Sequence, residues 1–586
     1  MSLLSSAYIV SADLTGQAKQ WEVTSSPKVV PLKTPRSRVD KSISKQTTRV
    51  PDVNDVPPHT SGSASSGELS RTVTSESTDT ESAVRRTRRR RSRLKRRAAP
   101  KKMNFLVDGI KDGYNLGFRK KCVESFLIVG LLVLSVRHSF AVVEENFKFI
   151  ALCTGVLSAT LFWKQSEWSM PSVLYIYIFP TALTLADYPQ YLCLNLLISV
   201  ASLPLPSSIL ANIVICLSPT TPAVYYVYTS TTEIVGALTT TSLSQTETAL
   251  AGALLTNLFL NAQNFDMVFL RAFMLGSFFS LWPSRPLVLK IIELTRRPRH
   301  KRPANSDKLK MQYALGIYAI FVFNILVFVR WSLQRSLGQD PFIYMANYLF
   351  LTEPSKKRLG LLLYWATWLS ICIPRIQRLS AGWTLDIRRK VWHGMVVGMF
   401  LIGGVGQDAG FVAISMSIAL TLFLLSEFVR ATTIPPLGMS IHTALTRYTD
   451  ERDTCGPIIV SHIFLLLGIS LPIFWSYSPA GIICLGFGDA CASIIGRRYG
   501  RHRWFDSKKT LEGTAGFILA AFTGLQITRH LLPGYDHILG TDLSTSWTLL
   551  AATCTAILEA TSGMNDNVIV PVYMYVLLRL GTTEKF

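Results

Sequence analysis

The chain has 586 residues, of which 49% are hydrophobic and 17% charged, against about a quarter charged in an ordinary soluble domain. Its formal charge of +23 is concentrated, with twelve Lys or Arg and no acid between Arg85 and Lys102. These figures exclude a compact soluble protein and confine a nucleic-acid reading of the charge to the tail; a polytopic membrane protein accommodates them.

In chain order, residues 1–103 come first. They are rich in Ser, Thr, Arg and Pro and lack apolar periodicity, so they are expected to be a disordered, basic, cytoplasmic tail. Its cations suit the surface of an anionic leaflet, where each gains about 1 kcal/mol. The first twenty residues have no basic stretch leading into an apolar core, so insertion is expected to use internal spans.

Apolar runs follow at 122–136, 147–163, 172–186, 191–217, 247–260, 266–290, 311–333, 342–351 and 359–374. More occupy 391–405, 409–430, 457–475, 478–496, 513–533, 546–560 and 566–580. Several fall short of the ~20 residues that cross a bilayer core, and some are expected to merge or re-enter. The expected fold is all-α, with roughly 13–15 transmembrane helices, because an open sheet cannot satisfy its backbone in lipid. The expected division is a tail over 1–103, membrane helices over 104–385 and a catalytic membrane domain over 386–586. Cation-rich stretches at 85–102, 296–302, 375–390 and 497–509 are expected to share the cytoplasmic side. The nine cysteines include no CxxC pair and read as small buried hydrophobes.

Ionisable residues within or beside the last apolar runs are the chemical signal, because a charge in a span is costly. Arg389, Lys390 and His393 open one run, with 389 and 393 on one helical face. Glu427 and Arg430, three apart at the end of another, have the spacing of an internal ion pair. The block Asp450-Glu-Arg-Asp453 contains Arg452 and precedes Gly456-Pro457 and a run carrying His462. The densest cluster runs from Gly488-Asp489 through a glycine- and cation-rich loop to Lys508-Lys-Thr-x-Glu-Gly-Thr514. Gly488-Asp489 is expected to end a span.

Each residue type in that cluster suits a phosphate site. Asp489 is a candidate Mg²⁺ ligand, since that ion takes one or two carboxylates plus substrate phosphates. Gly496 and Gly500 would let backbone amides approach phosphate oxygens, and Lys508 and Lys509 would supply point charges. Thr510 and Thr514 offer hydroxyls, and Glu512 a second acid. Phosphoryl transfer relies on positioning and charge neutralisation, which this set provides. Neither the Walker spacing nor a Rossmann GxGxxG occurs. Glu559 lies inside an apolar run, and Asn565-Asp566-Asn567 breaks the chain before the last run; Asp566 is a candidate second metal ligand or general base.

Together these motifs resemble the dolichol kinases, the CTP-dependent polyprenol kinase family. The matching pieces are Arg389-Lys390-x-x-His393, Glu427-x-x-Arg430, Asp450-Glu-Arg-Asp453 with Gly456-Pro457 and His462, Gly488-Asp-Ala-x-Ala-Ser493, Lys508-Lys-Thr-x-Glu-Gly-Thr514, and Glu559 with Asp566-Asn567 and Pro571. They span roughly residues 385–580. The GDAxAS and KKTxEGT pair is shared with CTP-dependent kinases of phytol and diacylglycerol, which therefore remain alternatives. A transporter or a lipid cytidylyltransferase fits less well.

The resemblance implies transfer of the γ-phosphate of CTP to dolichol in the endoplasmic reticulum membrane, with the nucleotide bound on the cytoplasmic face. The dolichyl phosphate would serve N-glycosylation, mannosylation and GPI-anchor synthesis. It implies a catalytic set of Asp489, Lys509, Glu512 and Asp566, with Asp489, Glu512 and Asp566 holding Mg²⁺ or another divalent cation. It implies nucleotide contacts from Gly488, Ser493, Gly496, Arg497, Gly500, Arg503, Trp504, Lys508, Lys509, Thr510, Gly513 and Thr514. Arg389, Lys390, His393, Arg430, Arg452 and His462 would complete that set. The partners are then CTP, a dolichol or polyprenol lipid and the membrane, with no nucleic acid. The isoprenoid chain would need an apolar groove, which leaves no sequence signature.

Overall fold

The computed structural model describes residues 119–582 apart from 164–169, 188–191, 202–227, 230, 234, 237–242, 261–264, 297–302, 380–381, 403, 446–448, 450–457, 506, 533 and 541. The basic tail and the Asp450–Pro457 block, Arg452 included, lie outside the described residues. Among those described the fold is all-helical, and its one β feature is an isolated antiparallel bridge between Arg503 and Thr510.

The helices that build the site are α1 (119–138), α2 (Met170–Asp187), α3 (Gln245–Leu260), α4 (Phe265–Arg296), α5 (Ser306–Leu337) and α6 (Ser355–Leu379). After them come α7 (Leu385–Val396), α8 (Ala409–Thr432), α9 (Val460–Ser476), α10 (Ala480–Tyr499), α11 (Leu511–Leu531), α12 (Thr545–Thr561) and α13 (Asp566–Leu580). Among the described residues, five stretches are long and apolar enough to cross a membrane: Met267–Thr295 within α4, and α5, α6, α8 and α10. Further apolar helices are shorter, among them α9 and the Leu174–Asp187 part of α2.

Small residues set how closely the C-terminal helices pack, as expected where lipid removes much of the hydrophobic drive for helix association. A Cβ on Gly468 of α9 would collide with the carbonyl oxygen of Asn567, so α9 lies directly against the start of α13. A Cβ on Gly486 would meet the Val397 side chain, and one on Gly488 the Phe517 ring at 2.7 Å. Gly486 thus seats α10 against the end of α7, and Gly488 seats it against α11. Gly496 and Gly513 face one another across the α10–α11 seam, where a Cβ on Gly513 would lie 2.9 Å from the Ala492 carbonyl.

Gly488-Asp489 does not end a span. Ile483–Asp489 is a π-helical turn inside α10, and the helix continues to Tyr499 because small and apolar residues, Ala490 to Ile495, follow. Such π-turns recur at functional sites, since they re-aim a side chain within a helix.

The N-terminal half braces the C-terminal helices. The Glu124 carboxylate of α1 accepts hydrogen bonds from Tyr175 Oη at 2.9 Å and from the Gly563 amide at 3.2 Å, tying α1 and α2 to the turn before α13. Asp187 at the end of α2 pairs with Arg579 at 3.0 Å and accepts from Tyr575 Oη.

Candidate active site

The site is assembled from a π-turn inside α10, the loop that follows it, and residues of α7, α12 and α13. Lys390 and His393 lie one turn apart on α7. Lys390 Nζ contacts Asp489 Oδ2, and His393 Nδ1 lies 3.3 Å from the same oxygen, within ion-pair range though misaligned for a hydrogen bond. Lys390, His393 and Asp489 are all largely buried. The π-turn directs Asp489 toward α7, and Gly486 one turn earlier permits the approach.

Lys509 forms the second node. It ends the loop between α10 and α11, and its Nζ contacts Glu559 Oε1 and lies 3.3 Å from Asp566 Oδ2. Glu559 is buried near the end of α12. Asp566 occupies the first turn of α13, which Asn565 caps by accepting from the Asn567 amide at 3.1 Å. An acid there also complements the positive end of the helix dipole. Burial alone would lower the pKa of Lys509, but Glu559, Asp566 and Asp489 outweigh it and hold the ammonium above the usual lysine range. Because Asp489 acts on Lys509, the two nodes form one electrostatic unit of three carboxylates and two lysines.

The loop between these nodes is a small hairpin. The Trp504 amide donates to the Lys509 carbonyl at 3.1 Å, and the Leu511 amide to the His502 carbonyl at 2.8 Å. Thr510 caps α11, its Oγ1 accepting from the Gly513 amide at 3.1 Å. Trp504 Nε1 donates to Thr514 Oγ1 at 2.8 Å. Arg497 reaches back to Ser493 Oγ at 2.8 Å. Arg498, Arg501, Arg503 and Lys508 are exposed. The hairpin therefore offers a cationic outer surface beside the Lys509 cage.

Several expected residues have other local duties. Thr510, Thr514 and Trp504 shape the hairpin, and Gly496, Gly500 and Gly513 make room for it: a Cβ on Gly500 would stand 2.7 Å from the Thr510 methyl. Glu512 bonds His502 at 2.7 Å through its side chain and accepts from the His502 amide. Glu512 does not join Asp489 and Asp566 about Lys509, and among the described residues no group of three or more His, Cys, Asp or Glu is arranged to hold a metal ion.

Arg430 forms a two-pronged ion pair with Glu427, at 2.6 and 2.7 Å, with the two side chains 6% and 2% exposed. Glu427 also accepts from the Ile459 amide at 2.6 Å, and Arg430 Nη1 lies 3.2 Å from His442 Nδ1. The pair joins α8 to the start of α9. His462 sits half-buried in the first turn of α9, its ring edge-on to Phe423. Arg389 is half-buried on α7.

Glu559 and Glu124 were the residues sequence reasoning undervalued. Both are acids within apolar runs, the signal that singles out such positions, and the structure makes Glu559 a direct partner of Lys509.

No family model and no solved structure matches the chain. Among curated proteins, the dolichol kinase of Saccharomyces cerevisiae is 35% identical over 263 residues, 45% of this chain and 49% of that protein. The dolichol kinase of Schizosaccharomyces pombe is 36% identical over 297 residues, 46% of this chain and 57% of that protein. This chain is similar to dolichol kinases. It spans about half the length of the curated dolichol kinases it matches. A probable phytol kinase of Glycine max is 34% identical over a shorter stretch of 140 residues, 22% of this chain and 46% of that protein.

Proposed function

We propose that this protein is a CTP-dependent dolichol kinase of the endoplasmic reticulum membrane, with its nucleotide site on the cytoplasmic face. The observation that carries the reading is Lys509, an ammonium held among Glu559, Asp566 and Asp489 of three apolar helices, beside an exposed cationic hairpin. In the proposed division, 1–103 is a dispensable tail, 104–385 a bracing set of membrane helices and 386–586 the catalytic region.

The hydroxyl oxygen of dolichol bonds to the γ-phosphorus of CTP as the bond from that phosphorus to the β–γ bridging oxygen breaks. The electron pair departs on CDP, and the hydroxyl proton passes to a carboxylate. Asp566 suits that role because its side chain is 42% exposed and so accessible to an incoming alcohol; Asp489 is the alternative. Lys509 and Lys390 neutralise charge on the transferring phosphoryl group and hold it in line, the main demand of such chemistry. Arg501, Arg503 and Lys508 draw the triphosphate to the hairpin.

A divalent cation fits this donor set when held chiefly by the nucleotide's phosphates, because such ions need only one or two protein carboxylates. Asp566, with open lone pairs, and Asp489 would hold it; Glu512, committed to His502, would not. When bound, the cation supplies further neutralisation of the triphosphate.

The deciding experiment offers purified protein γ-labelled CTP or ATP with dolichol, phytol or diacylglycerol. Label from CTP in dolichol, with CDP released, is the expected result. Label confined to phytol or diacylglycerol, or release of pyrophosphate, overturns the reading.

A further inference from the structure

The turn that joins α12 to α13 separates two acids that hold Lys509: Glu559 lies in the last turn of α12 and Asp566 in the first turn of α13. The turn is ordered within itself. The Ser562 amide donates to the Leu558 carbonyl at 2.7 Å, and Ser562 Oγ accepts from the Met564 amide at 3.1 Å. Two side chains of the N-terminal half grip it from outside. Glu124 of α1 is buried, and its Oε1 accepts from the Gly563 amide at 3.2 Å and from Tyr175 Oη at 2.9 Å. Tyr175 of α2 is buried too, and its Oη lies 3.1 Å from Ser562 Oγ. A tyrosine hydroxyl carries one proton, which goes to Glu124, so Ser562 donates to Tyr175. Both bonds to the turn therefore end on one carboxylate, directly or through Tyr175.

We propose that Glu124 and Tyr175 are positioning residues for phosphoryl transfer, fixing the turn at 562–565 and so the gap between Glu559 and Asp566 that Lys509 bridges; the inference rests on the kinase reading above. A carboxylate inside an apolar helix is costly, and Glu124 spends its bonds on this turn. Bonds to a charged acceptor are about twice as strong as neutral ones, which suits a contact that must hold a loop still. The turn is short, so a shift at Gly563 is passed directly to Asp566. The second brace on α13 differs. Asp187 holds Arg579 and Tyr575 at the other end of the helix, about 20 Å along it from Asp566. That brace anchors α13 and leaves the spacing at Lys509 to Glu124 and Tyr175. The N-terminal half thus sets the geometry of the charged site although it supplies no member of the Lys509 cage.

The test separates positioning from bracing. Glu124→Ala should lower kcat by about 10–10²-fold, as small misplacements of reacting groups do, with the KM for CTP within about twofold of wild type. Glu124→Gln keeps an oxygen that can accept from both donors and should recover most of that loss. Tyr175→Phe keeps the ring and guards against misfolding; it should lower kcat about three- to tenfold, the worth of one hydrogen bond. In an Asp566→Asn background, Glu124→Ala should add little, because it acts through Asp566. Arg579→Met, which breaks the other brace, should lower the melting temperature and leave kcat unchanged. Independently of turnover, exchange of the amides at 562–566 should quicken about tenfold or more in Glu124→Ala and stay as in wild type in Arg579→Met. Loss of kcat in step with melting temperature in every variant, no recovery with Gln, the same factor in the Asp566→Asn background, or unchanged exchange overturns the assignment. Wild-type protein that phosphorylates no lipid alcohol would instead defeat the kinase reading, and exchange at 562–566 would then decide by itself whether Glu124 fixes the turn.

Discussion

The Lys509 ammonium lies 3.3 Å from the Asp566 carboxylate while also contacting buried Glu559, so one cation joins the start of α13 to the end of α12 at the mouth of the cationic hairpin. Replacing it with an uncharged side chain of similar length removes the charge and leaves Glu559 buried without its counter-ion. Lys509→Met should lower kcat by about 10²–10³-fold, the cost of losing a preorganised electrostatic contact. Glu559→Gln in the same background should recover thermal stability and leave kcat low. Steady-state kinetics and thermal melts on the three proteins check both parts.

Lys390 and Asp489 form the second buried pair. Asp489→Asn and Lys390→Met should each reduce phosphoryl transfer on the order of 10²-fold or more. The double variant should be much less impaired than the product of the single effects, because groups in direct contact act as a unit. A kinetic double-mutant cycle measures the coupling; additive losses would mean that the two side chains act separately.

Glu427 and Arg430 pair with each other, which points to a role in holding α8 to α9. Arg430→Met leaves a carboxylate that is 2% exposed without its partner, and breaking such a pair costs about 3–5 kcal/mol. The expected outcome is a large drop in melting temperature, with the KM for CTP near the wild-type value in the protein that remains folded. A selective rise in that KM at unchanged stability would return Arg430 to the nucleotide site.

Gly468 fixes the height of Asp566, because the neighbouring Asn567 carbonyl occupies the space a Cβ would need. Gly468→Ala must displace the start of α13 and should cost about 1–3 kcal/mol, as overpacked cores do. Activity should fall along with stability, since the shift moves Asp566 away from Lys509. Gly130→Ala on α1, where a Cβ meets nothing within 4 Å, is the control that should lower neither.

Hydrogen bonding with its own backbone amide, then with His502 and Arg501, holds the Glu512 carboxyl down to about 2. A depressed folded pKa gives stability that is present above the unfolded value of ~4.3 and is lost as pH falls through about 2. Glu512→Gln should lower hairpin protection from hydrogen exchange at neutral pH, because the His502 amide and ring lose a charged acceptor. Unchanged protection in the hairpin would contradict the assignment.

The sequence alone determined that this is a helical membrane protein and which charges stand out in it, because the cost of an ion in an apolar run is a local property. Lys509, Asp489 and Asp566 are legible in that way, and so was Glu559 as an acid in an apolar run. Partner choice was not legible. Asp489 meets Lys390 across 99 residues and Lys509 meets Glu559 across 50, and packing at Gly486 and Gly468 brings such helices together. The resemblance implied that Glu512 joins Asp489 and Asp566 at a metal, whereas the hairpin turns Glu512 onto His502.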